Sequence, residues 1–163
     1  NVVSSFANHY NLDLKESINK LISDSLLGES SDKKVFTYML SWKNNYNSWK
    51  LFLKEKKYLL IKYEDLIKDP KETLVKMLNF IFRLSNNQSN IDFKKVDEVI
   101  SSTTFEKLKT LENKFGFEEK SSKADKNFFN LGQQNKWQEI LDPDSLKILT
   151  DEFNEEMTEL SYM

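Results

Sequence analysis

The run Tyr58-Leu59-Leu60-Ile61 constrains this chain more than any other stretch. Four consecutive apolar or aromatic residues stand between Lys57 and Lys62, which predicts a strand over 58–63 buried on both faces, as in parallel sheets. Such a strand must pair its backbone groups with neighbours. No second stretch of the 163 residues has comparable strand character. Either helices cover the segment, or its sheet partners lie upstream of Asn1. The second arrangement is favoured. The chain is therefore expected to be a single domain over 1–163, mainly α, with the front of its fold missing.

Everything else has helical spacing. A short helix is predicted from Val2 to Tyr10, with Val2, Phe6, His9 and Tyr10 on one face, and a second from Leu14 to Leu27. Gly28 to Asp32 is a loop, followed by the longest helical pattern, from Val35 to about Lys56. Asp69-Pro70 supplies an N-cap and a first-turn proline for a helix through about Leu84. Ser85 to Asn90 is loop, and Phe93 to Ile100 and Thr104 to Phe115 are helices, the second ended by Gly116. Glu118 to Asn135 is polar and irregular around Phe128-Phe129. Asp142-Pro143 repeats the capping device and launches the last helix, to about Leu160. Glu118-Glu119 and Glu155-Glu156 are expected to be solvated faces.

Composition excludes several kinds of chemistry. There is no cysteine, hence no thiol nucleophile, disulfide or Cys-ligated metal. His9 is the single histidine, which rules out a histidine metal cluster or relay; at helical spacing it is more readily an ordinary packed or surface residue. The three glycines, Gly28, Gly116 and Gly132, are too scattered for a glycine-rich phosphate loop, and Arg83 is the one arginine. A net charge of −2 gives no footprint for nucleic acid, and no apolar run is of membrane-spanning length. A cytoplasmic chain with neither nucleic-acid nor membrane partners is expected.

The order of less common motifs is more informative. Val2-Val3-Ser4-Ser5-Phe6 is followed by Ser41-Trp42-Lys43, then Tyr63-Glu64-Asp65-Leu66 with Asp69-Pro70. Ser102-Thr103-Thr104-Phe105 comes next, and Phe128-Phe129-Asn130-Leu131-Gly132 with Trp137 behind it. This succession resembles the second half of the cytosolic-type sulfotransferases, from Val2 to Leu160-Ser161-Tyr162. The resemblance implies a P-loop-like α/β fold with a parallel sheet, of which this chain is the helical C-terminal part. It also implies transfer of a sulfuryl group from 3′-phosphoadenosine 5′-phosphosulfate to a small-molecule hydroxyl or amine.

Carried over by position, the resemblance makes Ser5 a 3′-phosphate contact, Tyr63 a residue facing the adenine, and Thr103, Thr104 and Phe105 adenine-binding residues. Each has a plainer reading. Ser5 suits a helix surface, Tyr63 could close the core, and Thr103 or Thr104 could cap the following helix. Trp42 and Asp65 are structural in either reading. At Asn130, Leu131 and Gly132 the family usually has Arg-Lys-Gly gripping the 3′-phosphate. The two neutral residues weaken that grip, although Asn130 can still donate one hydrogen bond and Lys136 or Lys126 could substitute.

The family's phosphosulfate loop, its catalytic base and the arginine partnering Ser5 would all precede Asn1. The isolated chain is expected to be inactive and to need the N-terminal half of the same fold. The family's C-terminal dimer signature is absent, so any homodimer would use an exposed strand or apolar face. The alternative function is a non-catalytic helical binding or scaffold module derived from this fold.

Overall fold

The computed structural model describes residues 2–24, 39–55, 57–86, 89–132 and 136–163. Helices α1 (Val2–Tyr10) and α2 (Leu14–Ile22) pack against each other. The turn between them uses Asn11 in the left-handed region, at φ 52°, and Asp13 closes a reciprocal capping box with Glu16. Ser17, fully buried on α2, donates its hydroxyl proton to the Val3 carbonyl at 2.7 Å. The buried face of α1 is Val3, Phe6 and Ala7; Val2 is exposed. The expected stripe through Val2 is thus replaced by one through Val3, Phe6 and Ala7, and Val3 is where Ser17 of α2 bonds the α1 backbone.

Helix α3 (Trp42–Lys50) begins later than its apolar pattern suggests and runs into a 3₁₀ turn at Leu51–Leu53. Ser41 is the reason: its hydroxyl accepts the Asn44 N–H at 3.2 Å and fixes the helix start. Asp24 ties this cap to the end of α2, accepting from the Ser41 N–H at 2.9 Å and the Asn44 amide at 2.6 Å. Those bonds hold the Asp24 carboxyl below its ordinary pKa. Helix α2 ends at Ile22, short of the expected Leu27, because Ser23 is extended at φ −97° and ψ 145°. Residues 25–27, the expected loop at Gly28 to Asp32 and residues 35–38 of the long helical pattern lie outside the described residues.

The strand expected at 58–63 is absent. Residues 57–62 run without regular structure, and Tyr63 is the first residue of α4 (Tyr63–Lys68). The segment is not buried on both faces either: Leu60 is 38% and Tyr63 52% exposed. A four-residue apolar run becomes a strand only against a neighbour, and no strand is present among the described residues to pair with it. The C-terminus holds the segment instead. The Lys62 ammonium donates to the Leu160 carbonyl and lies 5.1 Å from the centre of the Tyr162 ring. The Tyr162 hydroxyl donates to Glu64 at 2.9 Å. Partial burial and the Glu64 carboxylate push its pKa up to about 12.

The Asp-Pro devices behave as expected. Asp69 caps α5 (Pro70–Leu84) by accepting the Glu72 N–H, and Asp142 caps a helix from Pro143 by accepting the Ser145 N–H and hydroxyl. Helices α6 (Phe93–Ser102) and α7 (Phe105–Phe115) follow α5, with Gly116 at φ 77° ending α7. Irregular chain then leads to the short α8 (Trp137–Ile140). The last predicted helix is two, α9 (Pro143–Glu152) and α10 (Asn154–Glu159), which meet at the buried Phe153. Phe153 packs edge-on against Trp42 at 5.0 Å, so α10 faces α3. Glu156 is therefore buried rather than solvated, accepting from the Asn47 amide at 3.0 Å with the Lys43 ammonium 4.0 Å away.

Among the described residues α1, α2, α3, α9 and α10 share one core, while α4 packs on α5 and α5 on α6. Leu51, Phe52, Leu53, Leu60, Leu66 and Ile67 remain exposed. The Ser145 bonds hold the Asp142 carboxyl below its ordinary value of 3.8. Its stabilising contribution is complete above that value and lost as pH falls through the lowered folded value. Asp142→Ala should therefore lower Tm at pH 7. The gap between variant and parent should narrow in thermal melts as pH drops below 3.8.

Candidate functional site

A cavity of about 1000 Å³ opens between α4, α5, α6, α7 and the loop at 130–131. Leu66 and Ile67 of α4, with Pro70, Leu74 and Met77 of α5, form one apolar wall. Val99 and Ile100 extend it along α6. The other end is polar, lined by Thr103, Thr104, Glu106, Lys109 and Asn130 around the Phe105 ring.

The junction of α6 and α7 creates that polar end. Thr103 terminates α6 and donates its hydroxyl proton to the Val99 carbonyl at 2.8 Å, so its oxygen is left as an acceptor. Thr104 caps α7, its oxygen accepting the Lys107 N–H at 3.4 Å, which leaves its proton for a ligand. The plain capping reading of Thr104 therefore holds, and it is compatible with ligand contact. The first N–H groups of α7 lie at this same junction.

The facing loop is held by α7 itself. Glu112 is 6% exposed, and its two carboxylate oxygens accept the N–H groups of Phe128 at 2.6 Å and Phe129 at 2.9 Å. Charge-assisted bonds of this kind are the strong ones. Around them Phe117 meets the rings of Phe128 and Phe129 at 4.8 and 5.1 Å, and Phe129 meets Phe105 edge-on at 6.2 Å. Asn127 donates to Asn113 at 2.6 Å, and Asn8 of α1 donates to the Asn127 carbonyl at 3.1 Å. His9 packs edge-on against Tyr10 and Phe128, in keeping with a packed residue.

Gly132 closes the arrangement at φ 53°, and a Cβ there would meet Phe105 ring carbons at 2.8 Å. The left-handed backbone angle favours glycine, and any side chain there would have to displace the Phe105 ring. Thr103, Thr104, Phe105, Asn130 and Leu131 thus share one lining, with Gly132 packed against it. Ser5 and Tyr63 do not join them: both are exposed and off the lining, Ser5 on α1 and Tyr63 at the start of α4.

The cations expected to stand in near Asn130 are also elsewhere. Lys136 is exposed and paired with Glu139 at 3.1 Å, and Lys126 is exposed and off the lining. The lining cation is Lys109, whose ammonium donates to the Asn130 carbonyl at 3.1 Å and lies 5.8 Å from the centre of the Phe105 ring. Its signal in the sequence is spacing. Phe105, Lys109 and Glu112 recur at i, i+4 and i+7, one face of a helix. That face places ring, cation and loop anchor together. Among the described residues no group of three or more His, Cys, Asp or Glu side chains is placed to hold a metal ion. No described helix is long and apolar enough to cross a membrane.

Glu112→Gln replaces one accepting oxygen by a donor facing a backbone N–H. The buried mismatch should cost about 2 kcal/mol in urea unfolding. Amide exchange should speed up at Phe128 and Phe129 before it does at α1.

Comparison with curated proteins and with solved structures returned no match. The model of the sulfotransferase domain matches residues 2–161, nearly the whole chain and every element that builds the cavity. The chain belongs to the sulfotransferase domain family.

Proposed function

We propose that this chain supplies the adenosine and 3′-phosphate side of the donor site in a cytosolic-type sulfotransferase. The donor is 3′-phosphoadenosine 5′-phosphosulfate and the acceptor a small hydroxyl or amine compound. One observation carries this reading: Thr103-Thr104-Phe105 and Asn130-Leu131-Gly132, distant in sequence, come together at one end of a single cavity. The residues there suit a nucleoside, with an aromatic ring for a base and hydroxyl, amide and ammonium groups for its polar atoms. Ser5 and Tyr63 join the site when the rest of the fold is assembled on this part.

Sulfuryl transfer depends on alignment and on stabilising charge at the leaving oxygen. It also needs a base for the acceptor's proton. The chain's motifs contain no phosphosulfate loop, and none of the cavity residues has the catalytic base's place in the family pattern. These groups come from an N-terminal half carrying the parallel sheet of a P-loop-like fold. The exposed apolar residues of 51–53, 60 and 66–67 support such a covering partner. The absence of cysteine supports a reducing, cytoplasmic setting.

The isolated chain should give no turnover above blank with radiolabelled donor and a panel of phenols, alcohols and amines. Measurable transfer would contradict this assignment of parts. Calorimetry should show adenosine 3′,5′-bisphosphate binding that weakens by roughly tenfold or more in Phe105→Ala, the loss of one stacked base. The neutral pair Asn130-Leu131 favours a second reading, a non-catalytic module on the same fold. Absence of bisphosphate binding in the parent chain would select it.

A further inference from the structure

Lys109 is the one cation on the cavity lining among the described residues, and Glu106, one helical turn earlier, is the one carboxylate. The ammonium has three donors, and the Asn130 carbonyl takes one of them at 3.1 Å. That bond fixes the ammonium at the polar end beside the Phe105 ring, with donors left for a ligand. A ligand whose base lies against this ring brings its anionic groups toward the neighbouring ammonium. Lys107, the nearest cation in sequence, is committed elsewhere: it donates to the Ser101 carbonyl at 2.7 Å and lies off this lining. Resting on the nucleotide reading above, we infer that Lys109 is the phosphate-binding cation of this site.

Three features follow. The grip comes from the second turn of α7 and not from the 130–132 loop. The Asn130 backbone serves it by orienting the ammonium. Glu106 opposes it, so removing the Lys109 charge leaves a lining that repels an anion outright. The site should therefore discriminate strongly between a phosphorylated nucleoside and the bare nucleoside, and Lys109 should be the origin of that discrimination.

The test titrates adenosine 3′,5′-bisphosphate and adenosine in parallel into the parent chain and into Lys109→Gln, Lys109→Arg, Lys107→Gln and Phe105→Ala. The parent should prefer the bisphosphate by about tenfold or more, the weight of one charge-assisted bond. Lys109→Gln should erase that preference while still binding adenosine, and Lys109→Arg should retain it. Lys107→Gln should match the parent.

If Lys109→Gln keeps the preference while Phe105→Ala loses both ligands, the nucleotide reading stands and the Lys109 assignment is overturned. An equal loss in Lys107→Gln overturns it as well, since the effect would then be diffuse charge. If the parent binds neither ligand, both the reading and the assignment fall. A second measurement needs no substitution. In the unmodified chain, the Lys109 ¹⁵Nζ and ¹³Cε resonances should shift with the bisphosphate and hardly move with adenosine. An unmoved resonance contradicts the assignment.

Discussion

The paired bonds from the Glu112 carboxylate to the N–H groups of Phe128 and Phe129 hold an irregular segment in place. Loop backbone usually stays on the surface because its polar groups need water. Here a buried anion takes the place of that water. With those two groups satisfied, the rings of Phe117, Phe128 and Phe129 can pack beneath Phe105. Asn130 and Gly132 are then delivered to the cavity mouth, where Lys109 reaches the Asn130 carbonyl. Loop position, ring orientation and ammonium position all depend on one side chain.

Helix starts were legible in the sequence wherever a local device fixed them. Asp69-Pro70 and Asp142-Pro143 mark helix starts through side chain and ring, and both helices begin there. Strand character was not legible, because it is a property of pairs. The Tyr58–Ile61 run has the composition of a buried strand, yet without a neighbouring strand among the described residues the chain runs irregularly into α4. Burial was misread where a helix changes direction. The turn at Phe153 aims Glu156 at Asn47 rather than at solvent, which a uniform helical period through residue 160 cannot show.

The site was legible in part, for a comparable reason. Motif order pointed to Thr103-Thr104-Phe105 and Asn130-Leu131-Gly132, and the fold brings the two segments to one cavity. Lys109 and Glu112 belong to no motif. They emerge only when α7 is read as a surface with Phe105, Lys109 and Glu112 on one stripe facing the loop. One arginine and scattered glycines leave the chain without a glycine-rich phosphate loop, and residues 130–131 carry no cation. The proposed phosphate contact is instead a single lysine, Lys109, oriented by the Asn130 carbonyl. Membership of the sulfotransferase domain family fits the cavity's placement at the meeting of these two segments.

On the proposed reading, the two segments form one nucleotide-binding surface. Amide chemical-shift mapping of the chain titrated with adenosine 3′,5′-bisphosphate tests it most directly. Shifts should concentrate on Thr103 to Phe105 and Asn130 to Gly132 and saturate together with one binding constant. Shifts gathered on α1 and α2, or on only one of the two segments, would contradict it.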